Sequence, residues 1–240
     1  MIILHGLFGM SDNWHNIARK LSETHAVYTL DLRNHGQSPH SDIMNYNVMA
    51  DDILEFINNE DLDQAIIIGH SMGGKTAMTF ANKYPEKIAK LVVVDIAPKA
   101  YRPGHQVYFD AMKKINYNAT VRKEIEEQLA EKIIDKGELL FLLKNLYHKE
   151  TGNFGLKINL EAIENNYPEI IGEIRFTKPV NVPTLFIKGE ISDYISEKDK
   201  EEIKHKFPDV RFAIVPDAGH WVHAENSEGF LKVLKEFISD

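Results

Sequence analysis

The five residues from Gly69 to Gly73, Gly-His-Ser-Met-Gly, constrain the fold of this chain more than any other segment. They lie between an apolar run, Ala65 to Ile68, that predicts a strand and a stretch that predicts a helix ending near Tyr84. Gly-x-Ser-x-Gly in this context is typical of a sharp turn that holds the serine hydroxyl away from the sheet. Both glycines are needed because a Cβ there would collide with the neighbouring strand and helix. Ser71 is therefore the leading candidate for a nucleophile.

The same segment also fits a different motif. Residues Gly69 to Thr76 match Gly-x-x-x-x-Gly-Lys-Ser/Thr, the phosphate-binding loop of nucleotide-binding proteins. The apolar run that ends at Asp95 even resembles the strand and Asp that hold Mg²⁺ in such proteins. A nucleotide-binding interpretation leaves the other motifs of the chain without a role, whereas a nucleophilic serine gives each of them one. We therefore keep a P-loop nucleotide binder as a remote alternative only.

Composition excludes several classes of protein. A chain of 240 residues, with 43% hydrophobic and 27% charged residues, is long enough for one substantial α/β domain. Its formal net charge of −8 argues against a nucleic-acid partner. The absence of cysteine excludes disulfides and thiolate metal sites, and it fits a cytoplasmic protein. No apolar run is long enough to span a membrane, and the first residues lack the features of a secretory signal.

The order of elements predicts an α/β fold with a mostly parallel central sheet and helices on both faces. Short apolar runs alternate with amphipathic stretches up to residue 97 and again from residue 179 to the end, which predicts a core of residues 1–97 and 179–240. Between them, residues 98–178 lack strand-like runs and contain charged helical stretches. An insertion of this length is longer than ordinary connections. We expect it to form a helical lid.

A serine hydroxyl needs a base and an acid to become a nucleophile. The best base is His220, because a Gly-His turn after the last apolar run delivers an imidazole to the carboxyl edge of the sheet. Asp95 and Asp193 each follow a predicted strand. Ser192 occupies the position usually given to the acid and Asp193 comes one residue later. We therefore favour Asp95, keep Asp193 as the alternative acid and expect Ser192 to support the Asp–His pair.

The turn after the first strand, His5 to Gly9, predicts an oxyanion hole. Its backbone N–H at Leu7, with Phe8 as the alternative, would face the nucleophile together with the N–H of Met72. The polar turn of residues 31–38 is expected to support this loop. The aromatic residues at the start of the insertion, Tyr101, Tyr108 and Phe109, are candidates for the substrate pocket, although packing would account for them equally. No His-Glu-x-x-His pattern is present, so we expect no metal site.

Several motifs occur together in the order in which a known family carries them. They are Leu4 to Gly9, Asp31 to Gly36, Met44 to Tyr46, Gly69 to Lys75, Asp95 to Pro98 and Gly219 to Glu225. The segment Phe141 to Leu146 of the insertion is similar to that family as well. Together they resemble the α/β-hydrolase superfamily, most closely the YbfF-like bacterial serine esterases and their ABHD11-type eukaryotic relatives. The resemblance covers nearly the whole chain.

The resemblance implies an eight-stranded sheet, serine hydrolysis of small-molecule carboxylic esters or acyl thioesters, and no cofactor. It also implies that Asp95 is the acid of the catalytic triad. The chain departs from the family in two respects. Asp193 stands where relatives tend to have a non-acidic residue, and the opening β-hairpin that should precede His5 is missing. We therefore expect the native start to lie upstream or the hairpin to have been lost.

Other activities stay open at this point. Carbon–carbon bond hydrolases and peptidases share this fold and triad, so the motifs do not exclude them. A non-catalytic receptor of the same fold would keep the pocket for ligand binding. Neither the physiological substrate nor the number of subunits follows from the sequence.

Overall fold

The structure, a computed structural model, describes residues 1–239 and has the predicted α/β architecture. Its strands are β1 (Ile2–Leu4), β2 (Tyr28–Leu30), β3 (Ala65–His70), β4 (Ile88–Val94), β5 (Leu146–His148), β6 (Phe154–Leu156), β7 (Thr184–Gly189) and β8 (Val210–Val215). Six of them form one sheet in the order β2-β1-β3-β4-β7-β8, and all neighbouring pairs are parallel. The described sheet thus has six strands, not the eight implied by the resemblance. Only four residues precede His5 in this chain.

Helices cover both faces of this sheet. They are α1 (His15–Leu21), α2 (Tyr46–Asn59), α3 (Met72–Lys83), α4 (Gln106–Lys114), α5 (Arg122–Ala130), α6 (Lys136–Leu143), α7 (Leu160–Asn165), α8 (Tyr167–Ile171), α9 (Glu197–Lys206), α10 (Val222–Glu225) and α11 (Ser227–Ser239). None of the helices in the described part of the chain is long and apolar enough to cross a membrane.

Alternate residues of the strands supply two separate cores, as the period of two in a strand requires. On one face, Leu91 and Val93 of β4 pack in the cluster that includes α2 and α3. On the other face, Val92 and Val94 pack in the cluster that includes α1 and α11. Because β4 is buried on both faces, its sequence is a continuous apolar run.

The segment between β4 and β7 contains five helices, α4 to α8, and the antiparallel hairpin β5-β6. The expectation that this segment lacks strands is therefore wrong. Both strands of the hairpin have only three residues, which is too short for a periodic pattern in the sequence. The carboxyl ends of β3, β4, β7 and β8 all lie at one edge of the sheet because the strands are parallel. The candidate residues of the sequence analysis come together at this edge.

Candidate active site

Ser71 lies in a tight turn between β3 and α3. The strand ends at His70 and the helix begins at Met72, so Ser71 alone connects them, with φ 51° and ψ −118°. This left-handed conformation is unusual for a residue with a side chain. A Cβ at Gly69 would lie 2.2 Å from the backbone oxygen of Gly73. The turn therefore requires the glycine, as the sequence predicts.

The same geometry excludes a phosphate-binding loop. Such a loop needs several residues between strand and helix to surround a phosphate, and here a single residue connects the two elements. The side chain of Lys75 is also bonded to backbone groups outside the turn. Its buried ammonium donates to the carbonyl oxygens of Lys99 at 2.8 Å and Gly172 at 2.6 Å. The remote alternative of a P-loop nucleotide binder is therefore wrong.

Asp95 and His220 form a hydrogen-bonded pair. Asp95 follows β4 with φ 51° and is fully buried, and its Oδ2 lies 2.8 Å from Nδ1 of His220. The backbone N–H of Gly189 donates to Oδ1 at 3.1 Å, and the hydroxyl of Ser192 donates to Oδ2. Both carboxylate oxygens of Asp95 therefore accept hydrogen bonds. An ionised carboxylate at Nδ1 holds the proton on that nitrogen and leaves Nε2 of His220 as a proton acceptor.

Asp193 has a different environment from Asp95. Its side chain is exposed, whereas Ser192 beside it is buried and bonded to Asp95. The one-residue offset in the sequence therefore turns the Asp193 side chain to solvent. The structure brings Ser192 into contact with the Asp–His pair and leaves Asp193 out of it.

A tyrosine that the sequence analysis missed covers the imidazole of His220. The ring of Tyr194 stacks on His220 with a centroid distance of 3.8 Å and an angle of 16°. The hydroxyl of Tyr101 fixes this segment, since it donates to the carbonyl oxygen of Tyr194 and accepts from the N–H of Ala97, both at 2.8 Å. Tyr101 thus links the loop after Asp95 to the residue that covers His220.

The loop after β1 approaches Ser71 closely. A Cβ at Gly6 would lie 3.3 Å from the Cβ of Ser71, so glycine allows this approach. The N–H of Phe8 donates to Nε2 of His35 at 3.2 Å and is thus not available to a substrate. No partner is found for the N–H groups of Leu7 and Met72 among residues 1–239. This favours Leu7 over Phe8 as the donor from this loop.

Neighbouring residues hold that loop in place. The carboxylate of Asp31 accepts from the N–H of Ser11 at 2.7 Å, as the prediction for the turn of residues 31–38 requires. The side chain of Asn145, which lies in the insertion, donates to the carbonyl oxygen of Phe8 at 2.9 Å. The sequence did not indicate this role for Asn145, because its contact is 137 residues away.

Ser71 lies where two cavities meet. The larger, of about 850 Å³, also contains His220, and the smaller, of about 180 Å³, extends past Met72 to Lys75. The residues common to both are Leu7, Ser71, His105, Tyr108 and Tyr194. The site therefore has room for a substituent on each side of a carbonyl group bound at Ser71.

The three predicted pocket residues have different positions. Tyr101 and Tyr108 line the smaller cavity, and Tyr108 lines the larger one as well. Phe109 lines neither. It is fully buried, with its ring edge-on to Phe8 at 5.2 Å and to Tyr167 at 5.3 Å. The prediction of Phe109 as a pocket residue is wrong because α4 turns this side chain into the core.

The other histidines near Ser71 are held neutral by burial. Desolvation, together with the nearby His220, lowers the pKa of His223 to about 3 and the pKa of His105 to about 4, and it also lowers the pKa of His70. His70 donates through Nε2 to the carbonyl oxygen of His220 at 2.8 Å. In the described part of the chain, no three His, Cys, Asp or Glu side chains are arranged to hold a metal ion.

Comparison with known proteins gives a consistent result. Residues 1–227 match the family described as alpha/beta hydrolase fold. The chain is 38% identical to the sn-1-specific diacylglycerol lipase ABHD11 of Danio rerio, over 99% of this chain and 78% of that protein. It is 34% identical to esterase YbfF of Escherichia coli, over 100% of this chain and 93% of that protein. The solved structure of a marine microorganism esterase superposes with a TM-score of 0.96 and is 47% identical, covering 98% of this chain and 94% of that one.

Proposed function

The chain belongs to the alpha/beta hydrolase fold family and is a carboxylesterase-type hydrolase, and we propose that it cleaves esters through Ser71, His220 and Asp95. The observation that carries this assignment is the 2.8 Å contact between Nδ1 of His220 and the buried carboxylate of Asp95. Ser71 and His220 line the same cavity, so the nucleophile, the base and the acid are in one site.

The reaction has two steps. In the first, Oγ of Ser71 attacks the ester carbonyl while Nε2 of His220 takes the hydroxyl proton. The C–O bond of the tetrahedral intermediate then breaks, and His220 gives its proton to the leaving alcohol. In the second step a water molecule attacks the acyl-enzyme, again losing its proton to His220. The acid is released as Ser71 recovers its hydrogen.

Backbone donors stabilise the intermediate. We assign the oxyanion hole to the N–H groups of Leu7, in the loop after β1, and Met72, the residue after Ser71. Removing one such donor typically raises the barrier by about 3–4 kcal/mol. Met72 is also the first residue of α3, so the dipole of this helix favours the developing negative charge.

The position of His220 indicates which part of the substrate each of the two cavities takes. His220 must protonate the leaving group, so the alcohol or thiol occupies the larger cavity, which His220 lines. The acyl group then occupies the smaller cavity, on the side of Met72 and Lys75. Its volume of about 180 Å³ is much smaller than the 850 Å³ of the larger cavity. The geometry thus favours short acyl chains.

Acyl thioesters fit the same scheme, because a thiolate accepts the His220 proton as an alkoxide does.

The insertion contributes to the larger cavity. Residues of α6, among them Leu140 and Phe141, line it together with His220. We therefore propose that residues 98–178 form a lid over a core of residues 1–97 and 179–240. The cytoplasmic location and the absence of a nucleic-acid partner stay predictions from composition.

Labelling with a fluorophosphonate probe tests this function. The probe should modify the protein and a Ser22→Ala control, which changes an exposed serine, but not a Ser71→Ala variant. Turnover of p-nitrophenyl butyrate should be lost in the same variant only. Equal labelling of the Ser71→Ala variant would show that another residue is the nucleophile, and a folded protein without labelling would favour a binding role.

A further inference from the structure

Tyr167 fixes the tautomer of His105, a residue with no role in the reaction described above. The hydroxyl oxygen of Tyr167 lies 3.1 Å from the backbone N of Gly104 and 3.2 Å from the backbone N of His105, and both N–H groups donate to it. It also lies 2.6 Å from Nδ1 of His105. A hydroxyl has one hydrogen and two acceptor positions. Since both acceptor positions are taken, the hydrogen of Tyr167 goes to Nδ1 of His105.

The other nitrogen of His105 therefore carries the ring hydrogen. Burial, with a smaller effect of the nearby His220, lowers the pKa of His105 to about 4, so the ring is neutral at physiological pH. A neutral ring that accepts at Nδ1 donates at Nε2. No protein partner of Nε2 is found among residues 1–239, and His105 lines both cavities beside Ser71. The site thus holds an oriented donor that the protein itself does not use.

The surroundings of this donor are aromatic. The ring of Phe8 lies 6.0 Å from that of His105 and the ring of Tyr108 lies 5.8 Å from it. Phe8 lines only the larger of the two cavities, which is also the cavity of His220. In an apolar setting a donor without an acceptor is costly, so an oxygen atom supplied by the substrate is favoured over a methylene group.

We propose that Nε2 of His105 donates a hydrogen bond to an acceptor oxygen in the alcohol part of the substrate, so that the enzyme prefers esters of alcohols that carry an ether or hydroxyl oxygen near the scissile bond. This assignment makes His105 a specificity-determining residue, with Tyr167 as the residue that positions it. It rests on the proposed function, because the alcohol side is defined by His220.

A matched pair of substrates tests the proposal. Butyl butyrate and 2-methoxyethyl butyrate have the same shape and differ by one CH₂ replaced with oxygen. The ratio of kcat/KM for 2-methoxyethyl butyrate to that for butyl butyrate should fall about three- to tenfold in His105→Phe relative to the wild type. This is the range expected for one hydrogen bond. Their different intrinsic reactivities cancel in this comparison. His105→Gln should keep the ratio within about twofold, since its amide can donate from a similar position.

Three further measurements make the result decisive. Butyl pentanoate and butyl 3-methoxypropanoate carry the same exchange in the acyl part, and their ratio should not change in His105→Phe. A long-range ¹H–¹⁵N spectrum of the imidazoles should show the Nε2–H tautomer for His105 in the wild type. In Tyr167→Phe this signature should be lost and the ratio of the first pair lowered.

The outcomes separate this proposal from the one on which it rests. Equal loss of activity on both members of the first pair in His105→Phe would mean a structural role and overturn the proposal. A change in the acyl pair instead of the alcohol pair would overturn the side assigned here. Absence of activity of the wild type on every ester would contradict the proposed function itself.

Discussion

The backbone N–H of Phe8 donates to Nε2 of His35, 3.2 Å away, and this contact fixes the loop that carries the Leu7 N–H. His35 is fully buried, and burial lowers its pKa to about 3, so the ring is neutral. Its Nδ1 donates to the carbonyl oxygen of Arg33 at 3.0 Å, which leaves Nε2 to accept. The orientation of this loop, which carries the proposed oxyanion donor Leu7, therefore depends on the tautomer of a histidine that lines neither cavity.

We predict that His35→Phe lowers kcat by about 10²-fold, because a loop displaced by about 1 Å loses alignment with the transition state. The variant should also unfold more easily by about 1–3 kcal/mol, since the N–H of Phe8 would be buried without a partner. His35→Gln should recover part of kcat by accepting from Phe8. His205→Phe, at an exposed position, serves as the control. Steady-state kinetics that leave kcat of His35→Phe unchanged would contradict this role.

The identity of the triad acid is tested by two substitutions. Asp95→Asn should lower kcat by about 10⁴-fold, because the amide no longer holds His220 in the tautomer that accepts a proton. Asp193→Asn should leave kcat within about twofold of the wild type, since its side chain is exposed. Measurement of kcat with p-nitrophenyl butyrate distinguishes them. A large loss in Asp193→Asn with little effect in Asp95→Asn would reverse the assignment.

We predict that Ser192→Ala lowers kcat by an amount between those expected for Asp193→Asn and Asp95→Asn. The hydroxyl of Ser192 is one of three groups bonded to the buried carboxylate of Asp95. Its removal should weaken the orientation of Asp95 and lower kcat by about tenfold, in the range of one hydrogen bond to a charged group. Activity equal to that of the wild type would mean that Gly189 and His220 suffice to hold Asp95.

The sequence predicted the parts of the site that depend on local backbone geometry. The Gly-x-Ser-x-Gly turn and the parallel strands determine that Ser71, Asp95 and His220 share one edge of the sheet, and this follows from pattern alone. The contacts of Asn145, Tyr194 and His105 did not follow, because each joins segments far apart in the chain. Phe109 was misplaced for a related reason. A pattern shows that α4 has an apolar face, but not whether that face meets the core or the cavity.

Lys75 gives the protein a pH-dependent stability with a defined sign. Burial lowers its pKa from the ordinary 10.5 to about 7. The folded chain therefore releases this proton at lower pH than the unfolded chain does. Between these two values the unfolded state binds more protons, so the free energy of unfolding rises with pH. Below about pH 7 both states are protonated, so the dependence on pH vanishes and the cost of burying the charged ammonium is fully present.

We predict that Lys75→Met removes this dependence. Relative to that of the variant, the free energy of unfolding of the wild type should rise by up to about 1.4 kcal/mol for each pH unit above pH 7. Urea unfolding at pH 6, 7, 8 and 9 measures it, with the comparison cancelling all other titrating groups. The variant also loses the bonds to the carbonyl oxygens of Lys99 and Gly172. Parallel pH curves for the two proteins would contradict the prediction.

The smaller cavity should set the length of the acyl chain. If the acyl group lies beside Met72, as we propose from the position of His220, kcat/KM for p-nitrophenyl esters should be lower for octanoate than for butyrate, because this cavity has only about 180 Å³. Ile170 of α8 lines this cavity and is buried. Ile170→Ala should therefore enlarge it and raise the ratio of kcat/KM for octanoate to that for butyrate by about tenfold.

Ile163→Ala is the matched control, because Ile163 is buried in the adjacent helix α7 and lines neither cavity. It should destabilise the fold through the lost methyl groups without changing the ratio. The same shift in both variants would indicate a looser lid, and no shift in either would place the acyl chain in the larger cavity.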